Sequence, residues 1–317
     1  MRATVLVLLG LALGLYSCSD RTVTTPAPPA TEKPVVALVV KTLTNPFFIA
    51  MEKGARRAEK ELGFTLKVKS AAQETSIDQQ IAIVEALISD GIAALVVAPG
   101  SSVELIPVLK KAQDRGIFLV NIDNQLDAAA SAQAGLKPVP FISIDNVKGG
   151  YLAAKSLTTG ITQPVEAAII EGIRDAANGN QRKRGAERAF AENPLVRLVD
   201  SRSAHWKIDE AYEVTEVIFR THPDVQLLFA ANDMMALGAV QYLGETGRTK
   251  VKVAGFDNLE SARKAIAAGR MVSTVDQQAD EQGYIGCVTA MQLWHGQAVP
   301  ALVEVPVRLV TKGDLGS

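Results

Sequence analysis

The chain has 317 residues and a formal net charge of −1, because 33 Lys and Arg residues face 34 Asp and Glu residues. This balance excludes the strongly basic field by which proteins hold nucleic acids or anionic membranes, and 48% hydrophobic with 21% charged residues excludes intrinsic disorder. Two cysteines in a chain of this length exclude a disulfide framework.

The N-terminal segment has the pattern of an export signal. Arg2 precedes an apolar run over residues 5–15, which is shorter than the roughly 20 residues of a membrane-spanning helix. The run ends in Leu-Tyr-Ser-Cys, and a small residue before a cysteine resembles the signal of bacterial lipoproteins, whose cysteine is lipidated. We therefore predict a signal peptide over residues 1–17 and a lipid on Cys18. A plain signal peptide cut nearby, or an uncleaved anchor, is the alternative.

A segment rich in proline and threonine follows the signal. Proline removes a backbone donor and favours extended chain, so residues 18–33 are predicted to be a tether. A lipid on Cys18 and this tether together hold a globular module near a membrane without spanning it. The second cysteine, Cys287, lies in an apolar helical context and is predicted to be a buried core thiol.

Short apolar strands alternate with amphipathic helices over the rest of the chain. Val35–Val40 is a continuous aliphatic run of strand length, and Pro46–Leu62 has apolar side chains at helical spacing. Further strands are predicted at 64–68, 93–98, 117–122, 141–144, 166–170, 196–201, 225–230, 250–255 and 271–275. Further helices are predicted at 76–88, 103–115, 180–192, 208–221, 234–246, 259–268 and 279–294.

This alternation is typical of a parallel sheet with helices on both faces. About ten strands in about 280 residues are too many for one small domain. We therefore predict an α/β fold with two doubly wound parallel-sheet lobes, and a (β/α)8 barrel is the competing architecture.

Polar and aromatic side chains recur where the predicted strands end, which is where open α/β sheets bind ligands. They are Lys41, Asn45, Phe47, Phe48, Asp123, Asn124, Asp145, Asn146, Arg182, His205, Trp206, Asn232, Asp233, Asp257 and Gln277. Carboxylates, amides and a guanidinium can together satisfy hydroxyl groups that both donate and accept, and aromatic rings stack on a sugar ring. Asp and Asn after strands are also common helix caps, and Asp145, Asn146 and Asp233 are the best candidates for that role.

Four motifs resemble those of the periplasmic ribose- and allose-binding proteins. They lie at residues 41–48 (Lys-Thr-Leu-Thr-Asn-Pro-Phe-Phe), 229–238 (Phe-Ala-Ala-Asn-Asp-Met-Met-Ala-Leu-Gly), 254–257 (Ala-Gly-Phe-Asp) and 274–277 (Thr-Val-Asp-Gln). The resemblance runs in order from about Val35 to the C-terminus. It implies two α/β lobes that close on a sugar, joined by three hinge crossings near Ile144, Gln277 and Val307. The implied N-terminal lobe is 34–144 with 278–306, and the C-terminal lobe is 145–277 with 307–317.

The resemblance also implies a sugar contact for each matching residue. Hydrogen-bonding positions are matched by Asn45, Asp123, Arg182, Asn232, Asp257 and Gln277, and stacking positions by Phe47, Phe48 and Trp206. Lys41 follows the allose-binding pattern, whereas ribose-binding proteins carry a small hydroxyl residue there. Asn124 is a further ligand candidate but departs from both branches, which carry Arg or Glu. An allose-like hexose is the first choice of ligand; ribose or another pentose, a ketohexose and a cyclic polyol remain open.

The implied function is that of a lipid-anchored, exported, monomeric protein that delivers a monosaccharide to the membrane permease of an ABC-type importer. It implies no cofactor, no metal and no catalytic residue. A glycoside-acting enzyme would use paired carboxylates, but the sequence lacks a nucleophile elbow, metal-spaced histidines and a phosphate-binding glycine loop. Sugar-responsive repressors share the fold but carry a DNA-binding headpiece where this chain has an export signal. Sugar sensing for a membrane receptor stays open, because a sensor uses the same closed form.

Overall fold

The computed structural model describes residues 33–316, so the predicted signal peptide, Cys18 and nearly all of the predicted tether lie outside the described residues. The strands, in chain order, are β1 (Val35–Val40), β2 (Thr65–Ser70), β3 (Ala94–Val97), β4 (Phe118–Ile122), β5 (Phe141–Ser143), β6 (Val165–Glu171), β7 (Val196–Ser203), β8 (Val225–Ala230), β9 (Lys252–Ala254), β10 (Ser273–Asp276), β11 (Leu302–Glu304) and β12 (Arg308–Thr311).

The helices connect these strands. They are α1 (Pro46–Leu62), α2 (Ile77–Ser89), α3 (Ile106–Asp114), α4 (Ala128–Gln133), α5 (Asn146–Thr158), α6 (Ala177–Ala191), α7 (Ile208–Thr221), α8 (Asp233–Glu245), α9 (Glu260–Ala267) and α10 (Ala279–Trp294), and a 3₁₀ turn follows at Lys312–Leu315. Among residues 33–316, no helix combines the length and the apolar character needed to cross a bilayer.

The strands form two six-stranded sheets. The first has the order β11-β5-β4-β3-β1-β2 and the second the order β12-β10-β9-β8-β6-β7. The strand pairs are parallel, apart from the antiparallel pair of β10 with β12. Strands β1 and β3 are buried along almost their whole length, as expected when helices cover both faces of a parallel sheet.

The chain passes between the two sheets three times. It leaves the first sheet after β5, returns after β10 and crosses again between β11 and β12. Helix α5 packs against α6 beside the second sheet, and α10 packs against α1 beside the first. The predicted fold of two doubly wound α/β lobes with three crossings is therefore confirmed, and the barrel alternative is wrong.

The first helix shows why the local sequence folds as it does. The Asn45 side chain accepts a hydrogen bond from the Phe47 backbone N–H and so caps α1, and Pro46 occupies the first helical position, where no donor is needed. The helix ends at Gly63, whose φ of 74° is easily reached only without a side chain. These signals fix α1 directly after the carboxyl end of β1.

Close helix packing positions α6 in the second lobe. Gly150 of α5 faces the backbone of α6, and a Cβ at this glycine would collide with the Arg182 carbonyl oxygen. The absence of a side chain therefore lets α5 and α6 approach closely. Cys287 on α10 is fully buried, as predicted, and burial raises the pKa of its thiol to about 12.

Of the three predicted helix caps, one is confirmed. Asp145 caps α5 by accepting a hydrogen bond from the Lys148 backbone N–H. Asn146 instead accepts a hydrogen bond from Arg182, and Asp233 is the first residue of α8, whose cap is Asn232. The prediction was wrong for Asn146 and Asp233 because each is the first residue of its helix, one position after the residue that caps it.

Candidate functional site

A small cavity lies between the two lobes, at the carboxyl ends of both sheets. The first lobe contributes Lys41, Asn45, Phe47, Phe48, Glu74 and Asp123 to its wall, and the second contributes Asn178, Arg182, Trp206, Asn232, Asp257 and Gln277.

The topology brings these side chains together. Lys41 follows β1, Asp123 follows β4, Trp206 follows β7 and Asp257 follows β9. Because parallel strands end at the same edge of a sheet, the residues that follow them converge there. The two sheet edges face each other across the cavity.

Arg182 is the most tightly held residue of the cavity wall. Its Nε donates to Asn146 Oδ1 at 2.8 Å, its Nη1 to the Ala231 carbonyl at 3.0 Å and its Nη2 to Gln277 Oε1 at 3.3 Å. The guanidinium carbon lies 3.9 Å from the centroid of the Phe256 ring. Burial lowers the pKa of Arg182, and the nearby carboxylates oppose this shift. The group is thus a fixed donor in the cavity wall.

Asp257 faces Arg182, and its hydrogen bond within the protein uses only one of its two carboxyl oxygens. Gln277 Nε2 donates to its Oδ1 at 2.6 Å, and Arg182 Nη1 lies 3.7 Å from the same oxygen. Within residues 33–316, no side chain or backbone group donates to Oδ2. Burial raises the pKa of Asp257 well above its usual range, although the charge on Arg182 opposes this. The carboxyl group therefore keeps free acceptor capacity for a ligand.

The first lobe presents a second buried charge pair. Lys41 Nζ lies 2.8 Å from Asp123 Oδ2, and both side chains are almost fully buried. Asn178 Nδ2, from the second lobe, donates to Asp123 Oδ1 at 3.2 Å. Asn45 Nδ2 donates to Glu74 Oε1 at 3.0 Å, and burial raises the pKa of Glu74 while Lys41 opposes the shift. Lys41 and the carboxylates thus offer donors and acceptors side by side.

Two aromatic rings from opposite lobes flank the same space. Lys41 Nζ lies 5.7 Å from the centroid of Phe48 and 6.0 Å from that of Trp206. Trp206 Nε1 is buried and has no hydrogen-bond partner among the described residues. Phe47 packs edge-on against Phe48 with the ring centroids 5.0 Å apart.

Backbone strain coincides with the cavity wall. Asp123, Trp206 and Asp257 have φ values of 63°, 69° and 121°, a region that side chains other than glycine rarely adopt. Such strained residues persist where the surrounding structure holds them, and they cluster at functional sites. Here the strain places one carboxylate or ring at each of three strand ends.

The arrangement suits a small neutral molecule with many hydroxyl groups. Two cations, three carboxyl groups and four amides supply both donors and acceptors, and the rings supply apolar faces. The two cations and three carboxyl groups nearly balance, so the wall has no strong net charge to select a charged ligand. Among residues 33–316, no cluster of three or more His, Cys, Asp or Glu side chains could hold a metal ion.

The structure brings together all the predicted ligand residues except Asn124. The Asn124 side chain is fully buried away from the cavity, where its Nδ2 donates to the Pro99 carbonyl at 3.1 Å. Glu74 and Asn178 line the cavity without having been predicted. Glu74 follows β2 and so obeys the strand-end rule, and Asn178 precedes Arg182 by four residues on one face of α6.

Comparison with known proteins identifies the family. Residues 36–298 match the periplasmic binding protein domain. A D-ribose/D-allose-binding protein from Pseudomonas aeruginosa is 40% identical over 287 residues, which cover 88% of this chain and 89% of that protein. The D-allose-binding periplasmic protein of Escherichia coli is 34% identical over 252 residues, which cover 79% of this chain and 81% of that protein.

A solved structure agrees with these relatives. The periplasmic solute-binding protein of an ABC transporter from Actinobacillus succinogenes, with bound D-allose, matches this structure with a TM-score of 0.84 and 38% identity. The match covers 89% of this chain and 99% of that chain. The resemblance seen in the sequence motifs is therefore confirmed, and the chain belongs to the periplasmic binding protein family.

Proposed function

We propose that the protein binds a monosaccharide between its lobes and delivers it to the membrane permease of an ABC-type importer. An allose-like hexose is the first choice of ligand and ribose or another pentose is the second. The observation that carries this proposal is one small cavity whose wall combines carboxyl groups, amides and Arg182 with aromatic rings from both lobes. Relatives named for D-ribose and D-allose, and a structural neighbour holding D-allose, support the choice of ligand.

The proposed sugar ring lies between Phe48 and Trp206, which stack on its opposite faces. Arg182 and Lys41 donate to hydroxyl oxygens, and Asp123 and Asp257 accept from hydroxyl groups. These bonds are charge-assisted and lie out of water, where they are stronger than at the surface. Asn45, Phe47, Asn232 and Gln277 complete the contacts expected from the family resemblance, and Glu74 and Asn178 join them as cavity residues.

Ligand binding drives closure in this proposal. The lobes comprise residues 34–144 with 278–306 and residues 145–277 with 307–317, and they move about the three crossings. A sugar that contacts both lobes only in the closed arrangement shifts the equilibrium towards it.

Family membership supports export to the periplasm. The proposed lipid on Cys18 and the tether over residues 18–33 then hold a monomeric binding protein beside the membrane. Palmitate labelling of whole cells tests this anchor: we expect label in the wild-type protein and none in Cys18→Ser. Label that persists in Cys18→Ser would contradict the anchor.

Calorimetry with a panel of neutral ligands tests the proposed binding. The panel is D-allose, D-ribose, D-tagatose and myo-inositol, which represent an aldohexose, a pentose, a ketohexose and a cyclic polyol. We expect one sugar per chain, with D-allose bound most tightly and recovered chemically unchanged. Failure of every ligand to bind would refute the monosaccharide proposal, and a converted sugar would favour the enzyme alternative.

A further inference from the structure

Helix α6 of the second lobe begins without a cap of its own. The residue at its N-cap position is Ala176, which has no side-chain oxygen to accept from the first turn. The first N–H groups of an α-helix have no partner within the helix, so other groups or water must satisfy them. This helix carries Asn178 and Arg182 into the cavity wall, so its position matters for the site.

Two side chains of the first lobe supply the missing acceptors. The Ala177 N–H donates to Ser102 Oγ at 3.1 Å, and the Asn178 N–H donates to Asn124 Oδ1 at 3.3 Å. The backbone of Ser102 also donates to the Asp175 carbonyl at 3.2 Å. Serine and asparagine are among the residues that cap helices best. Here they perform this role across the interface between lobes.

Hydrogen bonds within the first lobe hold Asn124, next to Ser102, in position to cap α6. Asn124 Nδ2 donates to the Pro99 carbonyl within the first lobe, which turns Oδ1 towards the helix. The Asn121 side chain donates to the Asn124 carbonyl at 2.8 Å and fixes the loop after β4. Ser102 Oγ lies 3.5 Å from Asn124 Oδ1, and both residues are buried. The pair therefore forms one small acceptor surface beside the cavity.

We propose that Ser102 and Asn124 cap helix α6 from the opposite lobe and thereby stabilise the closed arrangement of the protein. When the lobes separate, water replaces both acceptors. The cap therefore favours the closed arrangement by the difference in free energy between hydrogen bonds to the two side chains and hydrogen bonds to water. This assigns Asn124, expected from its position to contact the ligand, a role without ligand contact. The inference rests on the proposed function for the opening and closing of the lobes and for its sugar-binding readout.

Small-angle X-ray scattering of the full chain, with and without D-allose, tests the interlobe cap. Without sugar, we expect Ser102→Ala/Asn124→Ala to have a larger radius of gyration than the wild-type protein, and saturating D-allose to remove the difference. Loss of one cap costs about 0.5–2 kcal/mol, so each single variant should bind D-allose about 2- to 30-fold more weakly.

Asp127→Ala is the matched control, because Asp127 caps α4 by accepting from the Ala130 N–H within the first lobe. It should leave both the radius of gyration and the affinity unchanged. An unchanged radius and affinity in the folded double variant would overturn the interlobe cap. If the double variant still opens but the wild-type protein binds no sugar of the calorimetry panel, the cap stands and the sugar proposal fails.

Discussion

Replacing Asp257 with asparagine separates a role in ligand binding from a role in the fold. Asp257 Oδ1 accepts from Gln277, whereas Oδ2 has no donor among residues 33–316. The substitution keeps the shape of the side chain and removes its charge. We therefore expect a large loss of sugar affinity with little loss of thermal stability.

The magnitude follows from the contacts of Asp257. A hydrogen bond to a charged group contributes about 1.5–3 kcal/mol and a neutral one about 0.5–1.5 kcal/mol, so the loss for one or two hydroxyl contacts is about 1–3 kcal/mol. This corresponds to a roughly 5- to 150-fold increase in Kd. Burial raises the pKa of Asp257, which means that the folded protein pays to keep the charge. Its removal relieves this cost but takes from Arg182 a charge partner 3.7 Å away. Because Arg182 keeps its three hydrogen bonds, we expect Tm to fall only slightly, by about 2–4 °C for each kcal/mol lost.

Titration calorimetry with D-allose and differential scanning calorimetry measure the two effects. Glu260→Gln is the control, since Glu260 is exposed on α9 and forms an ion pair with Lys264 on the same helix. We expect it to match the wild-type protein in both assays. Wild-type affinity in Asp257→Asn, or a fall in Tm with unchanged affinity, would refute a ligand-binding role for this carboxylate.

Three further predictions concern stacking and pH. Trp206→Ala should weaken D-allose binding at least about 10-fold, because a ring that covers one face of the sugar is lost; unchanged affinity by calorimetry would make Trp206 a core residue only. Burial alone would raise the pKa of Glu171, but hydrogen bonds, first that from Arg174, lower it from 4.5 to about 2. The wild-type protein should therefore lose unfolding free energy relative to Glu171→Gln as pH falls from about 4.5 to 2, and parallel denaturation curves would contradict this. Burial raises the pKa of Asp233 from 3.8 to about 7, so the folded state keeps a proton that the unfolded state releases. Between pH 4 and 7 the wild-type protein should lose stability relative to Asp233→Asn as pH rises, and a constant difference between the two would exclude this proton linkage.

The sequence predicts elements best where local signals and burial agree. Strand β1 and helix α1 have the predicted bounds because an aliphatic run, Pro46 and Gly63 mark them. Helix α4 was missed because none of its side chains is buried, so it has no apolar period. Strand β11 was missed because it has three residues at a sheet edge, where Leu302 is 58% exposed. Such elements depend on tertiary context rather than on pattern.

In the candidate site, too, some residues could be predicted from the sequence and others depend on tertiary contacts. Strand-end positions such as Asp123 and Asp257 could be found because sheet topology makes them converge. Glu74 follows β2, so the same topological rule predicts it as a ligand residue. The sequence could not distinguish Asp123 from its neighbour Asn124, because a positive φ at Asp123 turns the two side chains in different directions. The contact of Asn178 with Asp123 arises only when two distant segments meet across the lobes.

A crystal structure of the protein grown with D-allose tests the central claim most directly. We expect one sugar in the interlobe cavity, with its ring between Phe48 and Trp206 and its hydroxyl groups bonded to Arg182, Asp123 and Asp257. A sugar bound elsewhere, or a cavity that contains only water at saturating D-allose, would contradict it.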